Sequence, residues 1–174
     1  MRSSRSLALS IALSPALLFA QAYFQQRVDH VISVRLDDVA HVLHGQQSFT
    51  YTNQAPQTLD TLWIHLWPNA YRQKNTALDR QLMSMGELDL HFASDAERGS
   101  IDSLQFTAEG IPLTWGYHDE HPDIGWIKLP MPLAPASSIT IDTPFRVKIP
   151  DGKFSRLGHT GQAYYITQWF PKPA

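Results

Sequence analysis

The sequence predicts an antiparallel β protein, a curved sheet or β-sandwich with one short helix. Three observations carry this. Apolar residues alternate with period two from residue 28 onward, turn chemistry recurs between the alternating runs, and a helical period occurs over one short stretch.

The first 22 residues stand apart from that pattern. Arg2 and Arg5 form a short basic start, Leu7 to Phe19 is an apolar run broken by Ser10, Ser14 and Pro15, and Ala20-Gln21-Ala22 has the small-x-small form of a signal-peptidase site. The run is short of the roughly 20 apolar residues that span a bilayer. A cleavable signal peptide over residues 1–22 is therefore expected, with a periplasmic or secreted mature chain beginning at Tyr23.

Val28, His30, Ile32, Val34 and Leu36 share one face of a first strand, and Asp37-Asp38 supplies a turn. A second strand from His41 to Thr52 should pair with it as a hairpin, with Gly45 marking a bulge or a change of face. Leu59 to Trp67 is the most β-like run. Leu62, Ile64 and Leu66 fall on one face and Trp63, His65 and Trp67 on the other, which predicts a central strand covered on both sides, ended by Pro68-Asn69.

Leu78, Leu82 and Met85 give the single helical period, over Thr76 to Met85. Thr76 with Asp79 three residues later forms an N-terminal cap, and Gly86 closes the helix. Further strands are expected at Ile101–Ala108, Leu113–Tyr117, Gly125–Leu129 and Ser138–Ile149. The turns between them are Glu109-Gly110, His121-Pro122 and Pro130–Pro135. Ala163 to Phe170 reads as a last, aromatic strand directly before the chain stops at Ala174. A domain rarely ends so without a solvated tail, so the β domain of residues 23–174 is expected to be incomplete at its C-terminal end.

Composition excludes several functions. The 14 Lys+Arg against 16 Asp+Glu give a net charge of −2, no footprint for a phosphate backbone, so no nucleic-acid partner is expected. Without cysteine there is no zinc finger, iron–sulfur cluster or thiol nucleophile. No Glu lies in an H-E-x-x-H, and neither a G-x-S-x-G elbow nor a Gly-rich phosphate loop occurs. His41 and His44 would point to opposite faces of a strand. His118, Asp119, Glu120, His121 and Asp123 form the densest ligand-type cluster, which also fits a plain hairpin connection. The stripe Trp63, His65 and Trp67 with Tyr71 could stack on sugar rings, or pack beneath the short helix, the reading preferred here. On the last strand Gln168 projects from an otherwise apolar face, where an amide serves as a structural hydrogen-bonder or a ligand contact.

Four blocks, in order, then carry a resemblance. Tyr23-Phe24-Gln25-Gln26, Trp63 to Tyr71 (WIHLWPNAY), Arg98 to Leu104 (RGSIDSL), and Phe154 to His159 (FSRLGH) with Ile166 to Ala174 (ITQWFPKPA) are similar to the amino-terminal region of bacterial exported zinc metallopeptidases of the aminopeptidase N-like group, the gluzincins. The likeness runs over essentially the whole mature chain. It implies a β-rich domain that packs against a downstream thermolysin-like catalytic domain and helps wall its peptide cleft. In that family the H-E-x-x-H motif, its distant Glu ligand and the Gly-x-Met-Glu-Asn loop all lie downstream of the matched region. Zinc is thus implied for a full-length protein, while this chain carries neither catalytic nor metal residues and is expected to be inactive alone. The family's Thr-Gln segment, on the S1 side of the cleft, matches Thr167-Gln168. Many members carry an acidic residue two positions after that Gln, where it helps bind the substrate's free amine. Phe170 stands there, which argues against strict aminopeptidase specificity in the parent protein. Gln168 and Phe170 are the substrate-contacting positions the resemblance implies. The alternative is a stand-alone exported β-sandwich that binds glycans or peptides through its aromatic face.

Overall fold

A computed structural model describes residues 24–174, so the expected leader over residues 1–22, and Tyr23, lie outside the described residues. The chain builds β1 (Arg27–Asp37), β2 (Val42–Thr52), β3 (Leu59–His65), a 3-10 helix (Trp67–Tyr71), α1 (Ala77–Ser84) and α2 (Asp89–Phe92). It continues with β4 (Ser100–Asp102), β5 (Thr107–Ala108), β6 (Ile111–Pro112), β7 (Trp115–Tyr117), β8 (Ile124–Leu133) and β9 (Ser138–Lys148). The last strands are β10 (Gly158–Thr160), β11 (Ala163–Tyr165) and β12 (Lys172–Pro173).

One sheet runs β1-β2-β9-β5-β6, with β4 also on β9, and a second runs β12-β3-β8-β7; β10 and β11 pair as a small hairpin. All strand pairs are antiparallel. The two larger sheets share one core. Leu43, Phe49, Ile141 and Val147 come from the first, and Leu62, Ile64, Ile127 and Leu129 from the second. A smaller cluster around Ala70, Tyr71, Leu82, Leu90, Phe154 and Leu157 lies under α1 and α2, and Ile166 and Trp169 pack against both clusters. The expected β-sandwich is the architecture found.

Several elements follow their sequence cues closely. The β1–β2 hairpin keeps one register from Arg27–Thr52 to Asp37–Val42, and Asp37 Oδ1 accepts from the Val39 and Ala40 amides in its turn. At α1, the Asp79 amide donates to Thr76 Oγ1 at 3.2 Å, a cap that contributes about 1 kcal/mol. Strand β3 lies inside its sheet, between β12 and β8.

Elsewhere longer-range packing wins. His41 belongs to the turn, at φ 53°, and β2 begins at Val42. Gly45 marks neither a bulge nor a change of face, since the register passes through it on both sides. The expected strand Ile101–Ala108 breaks into β4 and β5 around Ser103, at φ 61°. That break answers a second puzzle, Pro144 within an inner strand. Pro144 faces Gln46 on β2, while on the other flank β4 ends opposite Arg146 and β5 starts opposite Asp142. The Thr143 hydroxyl receives the Gln105 amide in the gap at 3.0 Å.

The turn expected at Pro130–Pro135 begins later, because β8 continues through Pro130 and Pro132 to Leu133. An irregularity between Leu59 and Thr61 absorbs the extra residues. The final strand stops at Tyr165 rather than Phe170, and the chain then turns back to lay Lys172-Pro173 against Ile64-His65. A second helix, α2, and the 3-10 turn join the one helix foreseen.

Candidate functional site

The cavity that brings the sequence's candidate residues together encloses about 250 Å³ beside the 3-10 helix. Pro68 occupies the first turn of that helix, where a missing N–H costs nothing. Asn69, fully buried, fixes its position by donating to Pro122 O at 3.1 Å and accepting from the Ile101 amide at 3.0 Å. This presents Trp67 and Tyr71 on one wall. Leu78 and Gln81, one turn apart on α1, form the next. The β7–β8 hairpin contributes Asp123, and the loop after β9 contributes Ser155, Arg156 and Leu157.

Thr167 and Gln168 close the cavity. Thr167 Oγ1 donates to Arg156 O at 2.9 Å, joining the segment after β11 to the loop before β10. Ser155, Arg156 and Thr167 also line a shallower groove of about 610 Å³, so they form a ridge with space on both sides. Gln168 is exposed and holds φ at 52°, a left-handed conformation that a non-glycine residue adopts at a cost. The buried apolar strand position expected for its amide is therefore not the one found. The strand has already ended, and the amide faces the cavity and solvent.

Phe170 lies elsewhere. Its ring meets His30 edge-on at 5.3 Å and Trp169 at 5.4 Å, against the main core, and does not line the cavity. The structure thus brings Thr167 and Gln168 to the site and separates Phe170 from it. His30 is held below its ordinary pKa, first by burial and then by the Lys172 charge.

Asp123 lines the cavity with its Oδ1 enclosed and without a hydrogen-bond partner, and its carbonyl accepts from the Leu66 amide at 2.7 Å. Nearby His65 stacks on Trp67 with ring centroids 4.5 Å apart; burial, then Lys172, lowers its pKa, with Asp123 opposing. The site offers a carboxylate, a guanidinium, two side-chain amides and apolar walls. Such a set suits hydrogen-bonding and ionic recognition of a chain bearing amides and charges, and it contains no nucleophile paired with a base.

The other candidates resolve individually. His41 stacks on His159 at 3.6 Å and its Nδ1 lies 2.8 Å from the Tyr164 hydroxyl, far in role from His44, which is exposed on β2. His118 to His121 form the hairpin connection, with His118 Nδ1 accepting from the Glu120 amide at 3.2 Å. Among the described residues no three His, Cys, Asp or Glu side chains converge to hold a metal ion.

The preferred packing of the aromatic stripe beneath the helix holds for Tyr71, which packs with Leu82, whereas Trp67 stacks on His65 and lines the cavity facing α1. Trp63 is 48 % exposed and faces outward, opposite Trp126 on β8. The outer face of β3, expected to be covered, is therefore half open. Sequence reasoning placed Trp67 in a stripe and Asp123 in a loop cluster, and it passed over Gln81 and Arg156. No local signal joins these four, because they converge only through the sandwich topology.

Comparison with models of known protein families and with curated proteins finds no match to this chain.

Proposed function

We propose that this chain is the non-catalytic, exported β domain of a zinc metallopeptidase of the aminopeptidase N-like type, and that it walls the peptide cleft of a downstream catalytic domain. The observation that carries the reading is Gln168, held at φ 52° with its exposed amide on a cavity between Trp67, Asp123 and Arg156. Backbone strain of this kind persists where the surroundings over-determine it, and it clusters at ligand clamps. The resemblance assigns the Thr-Gln segment to the S1 side of the cleft, and Thr167-Gln168 occupies a cavity rim here.

In this role the chain binds and orients. Gln168 and Gln81 supply amide donors and acceptors for a peptide backbone, Asp123 and Arg156 supply charge, and Trp67 and Tyr71 exclude water from one wall. Zinc and the general base belong to the catalytic domain.

Reading the coding sequence past Ala174 tests this directly: an in-frame H-E-x-x-H followed about 18 residues later by Glu is expected, the spacing of the family it resembles. In that longer protein Gln168→Ala should raise KM for an aminoacyl-anilide more than it lowers kcat. Hydrolysis of the same substrate by residues 23–174 alone, with stoichiometric zinc, would overturn the reading.

A second reading, glycan or peptide binding through the aromatic face, is favoured by one observation. Trp63 and Trp126 sit side by side, directly opposite across β3 and β8, with Trp63 half exposed. Saturable quenching of tryptophan fluorescence by oligosaccharides would select it over the first.

A further inference from the structure

The Arg98 guanidinium is buried, 6 % exposed, yet no carboxylate among the described residues pairs with it. Nη2 donates to the carbonyls of Leu90 at 2.9 Å and His91 at 3.3 Å, while Nη1 is enclosed and meets no acceptor. A buried charge without a counter-ion is costly, and proteins rarely keep one without a use.

Arg98 lines a cleft of about 180 Å³ between the end of the 3-10 helix and β4, together with Arg72, Ser100, Asp102 and Lys148. Ser100 lies opposite Lys148 in the β4–β9 ladder, so hydroxyl and ammonium share one face. The Lys148 ammonium donates to Asp95 O, leaving two further hydrogens. Asp102 feels the Arg72 charge but is committed first to Arg146. Both its oxygens are taken by Arg146, at 2.9 and 2.8 Å, which also holds its carboxyl below the usual range. The Asp95 side chain, exposed at the rim, is the one other carboxylate lining the cleft.

We propose that this cleft binds a small tetrahedral oxyanion, phosphate or sulfate, between Arg72, Arg98 and Lys148. The exposed Arg72 guanidinium offers a fork of paired N–H donors to such an ion, and Lys148 adds its free ammonium hydrogens and Ser100 a neutral donor. The enclosed Arg98, its Nη2 tied to two carbonyls, adds uncompensated positive charge beneath them. The site shares no residue with the cavity at Gln168 and stands whether or not the peptidase reading holds.

Titrating inorganic phosphate with the purified chain, followed by 31P line width at constant ionic strength in chloride, tests the proposal. Saturable broadening that sulfate reverses is expected, with Arg72→Gln and Lys148→Gln each weakening affinity about tenfold, the effect of losing one charge-assisted contact. Because Arg98 also ties two backbone carbonyls, these two more exposed variants carry the test, with near-ultraviolet circular dichroism confirming that they fold as the parent does. Line widths that ignore the chain, or that match between the parent and the Arg72→Gln/Lys148→Gln double variant, overturn the proposal.

Discussion

The ring of Phe145 lies across Gly45, its strand partner, so closely that a Cβ on the glycine would sit 2.1 Å from the ring's Cζ. The glycine is there to make room, and its backbone is ordinary strand. Gly45→Ala must push the ring into a filled core and should destabilise the fold by about 1–3 kcal/mol. Urea denaturation should also show that Gly45→Ala combined with Phe145→Leu costs less than the two single changes added, since the collision is then relieved.

Asn69 holds the 3-10 helix to both neighbours of the cavity. Asn69→Ala leaves the buried Ile101 amide and the part-buried Pro122 carbonyl without this partner and should cost about 1–3 kcal/mol. Thermal unfolding is the check, and Gln81→Ala, on the cavity's outer wall, should cost far less.

Glu97 sets part of the acid limit. Lys153 and the amide and hydroxyl of Ser94 hold its carboxyl down at about 2, from an ordinary 4.5. The native state therefore binds fewer protons here than the unfolded chain. The contribution is complete above about pH 4.5 and drains away as pH falls towards 2. In Glu97→Gln that slope should flatten, read from denaturant midpoints across the range. Lys153, raised by the same pairing, loses its share only as pH rises past its ordinary 10.5.

His30 works at milder acidity. Gln47 Nε2 donates to its Nδ1 at 3.0 Å and also to Pro171 O at 2.9 Å, so the imidazole must be neutral at that nitrogen. Its pKa lies below the ordinary 6.5, so stability is present above that pH and declines as pH falls through the lowered value. Protection of the Lys172 and Ala174 amides from exchange, corrected for the intrinsic rate, should fall with acidification. His30→Gln should lessen that fall, the remainder belonging to His65, which lies opposite Lys172 and whose pKa burial likewise lowers.

Gln168→Gly tests the strain at the cavity rim. Glycine adopts φ 52° freely, so the variant should be more stable than the parent by about 1 kcal/mol, seen as a raised denaturation midpoint. Unchanged or lowered stability would show that the amide makes compensating contacts.

Where local chemistry decides the structure, the sequence announces it. Thr76 and Asp79 mark the start of α1, Asp37-Asp38 marks the first turn, and alternation marks β1, β2, β3 and β9. The misreadings arise where a distant partner overrules a local rule. Prolines at 130 and 132 look like a turn, yet β8 accommodates them in an irregular stretch opposite Leu59 and Thr61. Parity after Tyr165 placed Gln168 in an apolar row, but the docking of Lys172-Pro173 on β3 pulls the segment out of strand geometry. Of the cavity, Gln168 stands out in the sequence as a lone amide among apolar residues and Thr167-Gln168 through the resemblance, while Trp67 and Tyr71 belong to the aromatic stripe. Asp123, Gln81 and Arg156 come from three other segments, and no spacing rule links them.

The ladder between β2 and β9 couples distant parts of the chain, with Thr52 and Ser138, 86 positions apart, meeting side by side. Closing so large a loop must precede the reward of its hydrogen bonds, which places this chain among slow, millisecond-to-second folders. During synthesis the β1–β2 hairpin leaves the ribosome long before β9 exists. Phe49 and Tyr51, buried in the finished fold, then stay wet, so that face is open to aggregation until β9 arrives.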